Sequence, residues 1–195
     1  MKKVLLIIGV LVFVVVVIFI TVSFAKSPIL VTNTENHGNS TILTKNMKIS
    51  SIAFGNNTRI PVKYTCNGQD INPPLQFVGV PQDAKSLVLI VDDPDAPMGT
   101  WVHWVVYNIE PSVKQVNEKS VPQGGIEAKT SVGKPSYSGP CPPSGTHRYF
   151  FKVYALDTTL VFERRDQVDK RLVEEKMKGH VIDQAEMIGL YSQQK

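Results

Sequence analysis

A chain of 195 residues, 43% of them hydrophobic, is long enough for one domain with a sizeable core once any terminal segment is set aside. Its 21 basic and 17 acidic residues give a net charge of +4 and are mixed along the chain. No basic block is present, which excludes nucleic acid as an expected partner, while the mild positive balance is compatible with anionic headgroups.

The first element is residues 1–25. After Met1-Lys2-Lys3 the chain runs from Val4 to Ala25 without a charge. At about 20 residues per crossing, this predicts a transmembrane signal-anchor helix. A signal peptide cut after Ser23-Phe24-Ala25 is the alternative, because those residues fit an A-x-A-like site. Lysines before the run and only Lys26 directly after it place the rest of the chain outside the cytoplasm in both cases. The protein is therefore expected to be membrane-anchored with its domain extracytoplasmic, or secreted if the segment is cleaved.

Residues 26–46, rich in Ser, Thr and Asn, read as a flexible tether. His37 lies in it and is expected to be solvated. From Met47 the texture changes to short apolar runs between Pro, Gly, Asn and Asp, so residues 47–195 are expected to form a mainly β domain, an antiparallel sandwich. Strands are expected over 49–54, 75–77, 86–92, 102–109 and 148–156. Residues 87–91 are apolar on both faces and predict a central strand. Asp166 is expected to cap a helix with Val168, Leu172 and Met177 on one face and Gly179 at its end. A second short helix is expected to follow His180, with Val181, Ala185 and Ile188 inward. The two cysteines, Cys66 and Cys141, predict a disulfide in an oxidising compartment, with two separate buried thiols as the alternative.

Chemistry gathers in three places. Asp92-Asp93-Pro94-Asp95-Ala96-Pro97 follows the buried strand, and its three carboxylates cannot all go inside, which predicts a strand end or a rim. Trp101 and His103 alternate along the next strand and so share a face. In Gly139-Pro140-Cys141-Pro142-Pro143-Ser144-Gly145-Thr146-His147-Arg148-Tyr149 the same spacing pairs His147 with Tyr149, and turns Arg148 away as an exposed strand charge or a structural salt bridge.

Together with Tyr64-Thr65-Cys66-Asn67-Gly68, Asn72-Pro73-Pro74-Leu75 and the closing Gly189-Leu190-Tyr191, these segments resemble the phosphatidylethanolamine-binding protein family in its short prokaryotic, Raf kinase inhibitor-like form. The resemblance covers roughly residues 47–191. It implies an antiparallel β fold with a ligand pocket lined by Asp93, Trp101, His103, His147 and Tyr149, with Gly139 and Pro140 at its edge. Larger members close the pocket with a longer C-terminal helix, so a chain ending at Lys195 is expected to leave it more open. Imidazoles, a phenol and loop N–H groups suit a small anion such as a phosphate or phospholipid headgroup, with Asp93 organising a histidine rather than touching the anion. No cofactor and no catalysis are expected, and serine protease inhibition is a further implied activity. Two alternatives compete: a hydrolase using Asp93, a histidine and Ser138 or Ser144, and a metal protein with two histidines and one carboxylate.

Overall fold

The computed structural model describes residues 46–193. The expectations for residues 1–25, and for the tether up to residue 45, lie outside the described residues. Among the described residues no helix is long and apolar enough to cross a membrane.

In chain order the strands are β1 (Lys48–Ser50), β2 (Thr58–Arg59), β3 (Leu75–Val78), β4 (Ser86–Asp93), β5 (Trp101–Ile109), β6 (Gln115–Val116), β7 (Ile126–Glu127), β8 (His147–Leu156) and β9 (Val181–Tyr191). One helix, α1 (Lys170–Met177), precedes β9. The strands form a three-stranded sheet, β1-β3-β6, and a six-stranded sheet, β2-β9-β8-β4-β5-β7. Pairing is antiparallel except where β2 lies parallel to β9.

The apolar run in β4 is explained by its place in the layers. Leu87, Leu89 and Val91 pack with Ile49, Leu75 and Phe77 of the smaller sheet, while Val88 and Ile90 pack on the other face with Val173 and Met177 of α1. Every residue of β4 is buried. A side chain such as Leu89 contributes about 2 kcal/mol of hydrophobic stabilisation from either face, so a polar alternation here would forfeit one of the two interfaces.

The helix starts later than the sequence predicts. Asp166 sits in a 3-10 turn (Arg165–Gln167), and the cap is Asp169, whose Oδ1 accepts from Leu172 N at 2.9 Å. Both aspartates suit a cap chemically, but only Asp169 stands where the chain turns from extended to helical. Asp169→Ala should cost about 1 kcal/mol in urea unfolding. Gly179 ends the helix as expected, in the left-handed region at φ +81°.

The predicted second helix is instead β9. Val181, Ala185 and Ile188 fit a helical period, yet the buried positions are Asp183, Met187, Gly189 and Tyr191, the period of a strand. The pairing of β9 with β8 over its full length decides the conformation. The inward polar group is satisfied because Asp183 Oδ2 accepts from the N–H groups of Asn46 and Met47, both at 3.1 Å. The strand predicted over 49–54 also stops early. Ser51 Oγ donates to the Pro74 carbonyl at 2.7 Å and accepts from Ala53 N at 3.1 Å, which turns the chain off the sheet.

Candidate functional site

The end of β4 and the starts of β5 and β8 meet at one edge of the larger sheet, where a cavity of about 480 Å³ opens. Of the residues expected at the site, Asp93, Trp101, His103, Gly139 and His147 line it. Pro140 and Tyr149 do not. Pro140 is buried in the wall behind, where its carbonyl accepts from Cys66 N at 3.2 Å. Tyr149 is fully buried, its ring edge-on to His103 at 5.2 Å between centroids.

The three carboxylates do not all go inside: Asp92 and Asp93 are buried at the end of β4, and Asp95 lies beyond it, partly exposed. Asp92 is 1% exposed and Asp93 3% exposed. Asp92 is held between Lys152 and Lys170, at 2.8 and 2.9 Å. Asp93 accepts from Asp95 N through Oδ1 at 2.8 Å and from His147 Nδ1 through Oδ2 at 2.8 Å. Asp95 faces outward and grips Arg148, with Oδ1 accepting from Nη2 at 2.7 Å and Oδ2 from Nε at 2.9 Å. Each carboxylate thus has a partner, which is what burial of a charge requires.

The Arg148 guanidinium holds the Asp95 carboxyl down at about 2. A depressed folded-state value means that the pair stabilises the fold above the unfolded pKa and loses that stabilisation as pH falls from about 4 toward 2. Because Arg148 is half exposed, solvent screens the pair and its contribution is modest. Asp95→Asn should therefore lower the melting temperature slightly at pH 5, and the gap to the parent should close by pH 2.

His103 reaches the cavity through an irregularity in β5. Opposite β4, Trp104 pairs with Val91 and Val102 with Asp92, so His103 is the extra residue of a β-bulge. Bulges re-aim side chains in this way beside binding sites. The main chain of Ser138 then clamps it: Ser138 N donates to the His103 carbonyl at 2.9 Å, and His103 Nδ1 lies 2.6 Å from the Ser138 carbonyl. Burial lowers the His103 pKa, opposed by that carbonyl and by Asp93, Asp92 and Asp70. Desolvation also pushes the Tyr149 phenol up, with Asp93 adding to it, so it stays a neutral donor.

From its sequence position Asp93 is expected either to hold His103 or His147 with the outer ring nitrogen protonated, or to accept from an ammonium or hydroxyl of the ligand. The geometry selects His147. With Nδ1 donating to a carboxylate, Nε2 carries a proton only when the ring is an imidazolium. His103 is held by a carbonyl instead.

Cys66 and Cys141 are joined in a disulfide with Cα atoms 5.5 Å apart, and both line the cavity. The wall has a further organiser that sequence reasoning missed. Asp70 adopts φ +54° and its Oδ1 accepts from Gly139 N at 2.6 Å. A Cβ on Gly139 would lie 2.7 Å from both that oxygen and the Tyr64 carbonyl, so only glycine fits. The rim is apolar: Pro97, Met98, Val132, Pro142 and Pro143 also line the cavity, and Met98 is 98% exposed. Val132 stands more than thirty positions after Asp93, and the fold brings the two to the same cavity.

Among the described residues no group of three His, Cys, Asp or Glu side chains is disposed to hold a metal ion. The Ser138 contact with His103 runs through the main chain rather than Oγ. His180 pairs with Asp157 on an exposed surface, at 2.8 Å.

The sequence profile described as "Phosphatidylethanolamine-binding protein" matches residues 50–192. A UPF0098 protein of Methanothermobacter thermautotrophicus is 48% identical over 150 residues, 74% of this chain and 98% of its own length. A UPF0098 protein of Chlamydia pneumoniae is 44% identical, over 74% of this chain and 98% of its own. Among solved structures, a phosphatidylethanolamine-binding protein homologue of Chlamydia trachomatis superposes with TM-score 0.73 at 42% identity, covering 77% of this chain and all of that one. Escherichia coli YbcL, described as a new member of the mammalian PEBP family, gives 0.70 at 28% identity, covering 76% and 99%.

Proposed function

The chain belongs to the phosphatidylethanolamine-binding protein family, and from that premise we propose that it is a non-enzymatic module that binds a small anion such as a phosphate or phospholipid headgroup. The observation that carries this reading is the Asp93–His147 pair at a cavity with apolar walls. When the ring is an imidazolium, Asp93 accepts from Nδ1 and Nε2 is left to donate to an anion, in a site where low local dielectric strengthens the bond. The apolar rim suits the part of an amphiphile beyond its headgroup.

The domain works outside the cytoplasm in this reading. The disulfide beside the pocket supports it, because such a bond persists in oxidising compartments. Together with the uncharged run from Val4 to Ala25, it fits a domain anchored to or exported across a membrane.

Mass spectrometry of small molecules retained by the natively purified protein tests the proposal. An anionic ligand should be retained by the parent and lost from both His103→Ala and His147→Ala. Retention of the same ligand by both variants would remove these residues from its site.

A further inference from the structure

The described residues leave one thioether open to solvent. Met98 is 98% exposed, whereas Met47, Met177 and Met187 are 6%, 4% and 2% exposed and pack inside the two apolar cores. Both cysteines are joined in the Cys66–Cys141 bridge, so among the described residues no thiol competes for an oxidant. The turn around Met98 keeps it open. Gly99 N donates to the Ala96 carbonyl at 3.1 Å, Gly99 stands at φ +103°, and a Cβ built on it would meet no atom within 4 Å. Pro97 stiffens the turn on the other side of Met98. Met98 is thus presented on a tip clear of the fold, and it lines the cavity mouth with Pro97, Trp101 and Val132. A cluster of exposed apolar side chains at a cavity mouth marks a contact surface.

We propose that Met98 is a modification site, at which a peroxide switches the lip of the cavity from apolar to polar. A lone pair of Met98 Sδ attacks one peroxide oxygen, and the O–O bond breaks as the S–O bond forms. The transferred oxygen gives its proton to the departing hydroxide, which leaves as water. The sulfur is oxidised by two electrons and the peroxide is reduced by two. The product is a methionine sulfoxide, polar and chiral where the thioether was apolar and adaptable. Susceptibility follows exposure, so the buried methionines are spared. The consequence for binding rests on the anion-binding reading above. A ligand whose apolar part leaves the cavity over Met98 loses an apolar contact, while its anionic end at the buried His147 does not meet the change.

Peptide mapping by mass spectrometry of the natively purified protein, after graded exposure to hydrogen peroxide, reads the modification directly. Met98 should gain one oxygen about ten-fold faster than Met47, Met177 or Met187, and equal rates would overturn the proposal. Calorimetric titration then compares inorganic phosphate with dihexanoyl phosphatidic acid before and after treatment. Oxidation should weaken binding of the lipid about three-fold or more and leave that of phosphate unchanged. In Met98→Leu the same treatment should change neither. Weakening that persists in Met98→Leu, or that falls equally on the two probes, places the effect elsewhere than at the lip and overturns the switch. So does a lipid affinity that oxidation leaves intact. A protein that binds phosphate but not the lipid overturns the switch while leaving anion binding standing. Binding of neither probe overturns the anion-binding reading and the switch together.

Discussion

Replacing Cys66 and Cys141 together by serine is expected to lower the unfolding free energy by about 4 kcal/mol, the chain-entropy value for a bridge spanning 75 residues. For a domain of this size that corresponds to a fall in melting temperature of roughly 10 °C. Affinity for the ligand should change far less, by about three-fold or under, and the contrast is informative. The wall carrying Cys141 is tied to the segment carrying Cys66 by other bonds. Tyr137 Oη donates to the Tyr64 carbonyl at 2.9 Å, Gly139 N to Asp70 at 2.6 Å and Cys66 N to the Pro140 carbonyl at 3.2 Å. These bonds hold the folded wall in place when the bridge is absent. The bridge therefore acts mainly by restricting the unfolded chain. Scanning calorimetry and ligand titration on the same double variant separate the two effects. An affinity that collapses while the melting temperature holds would show instead that the bridge shapes the pocket directly.

Those ties also show what could be read from residues alone. Five strands, β1, β3, β4, β5 and β8, were visible because they repeat apolar residues at a strand's period or, in β4, without interruption, although β1 stops short of its expected end. The three clusters around Asp93, His103 and His147 were visible because rigid Pro- and Gly-rich loops carry charged or aromatic groups beside those strands. β9 was hidden because Asp183 and Gly189 occupy two of its inward positions, leaving an apolar set that a helix fits equally well. The pairing of Asp93 with His147 rather than His103 was hidden too. It depends on a bulge in β5 and on a backbone carbonyl, and neither leaves a mark in composition or spacing. Asp70 was overlooked for a related reason, since its role is to hold a main-chain N–H 69 positions away.

Asp93→Asn is expected to weaken anion binding through the tautomer of His147, with little effect on the fold. In the parent, both Asp93 oxygens accept, one from Asp95 N and one from His147 Nδ1. Asparagine keeps the shape but has only one oxygen. The Asp95 N–H always donates, so the oxygen is best placed there, which turns the amide NH2 toward His147. Nδ1 must then accept, and the proton of the neutral ring moves to Nε2. The parent offers the anion a donor at Nε2 only as an imidazolium, whereas the neutral ring of the variant donates from the same atom without the charge. A charge-assisted hydrogen bond is the stronger of the two, so glycerophosphoethanolamine should bind the variant about ten-fold more weakly in calorimetric titration. Nitrogen NMR of His147 should show the exchange of tautomer. An unchanged affinity alongside an exchanged tautomer would mean that the anion is held elsewhere than at His147.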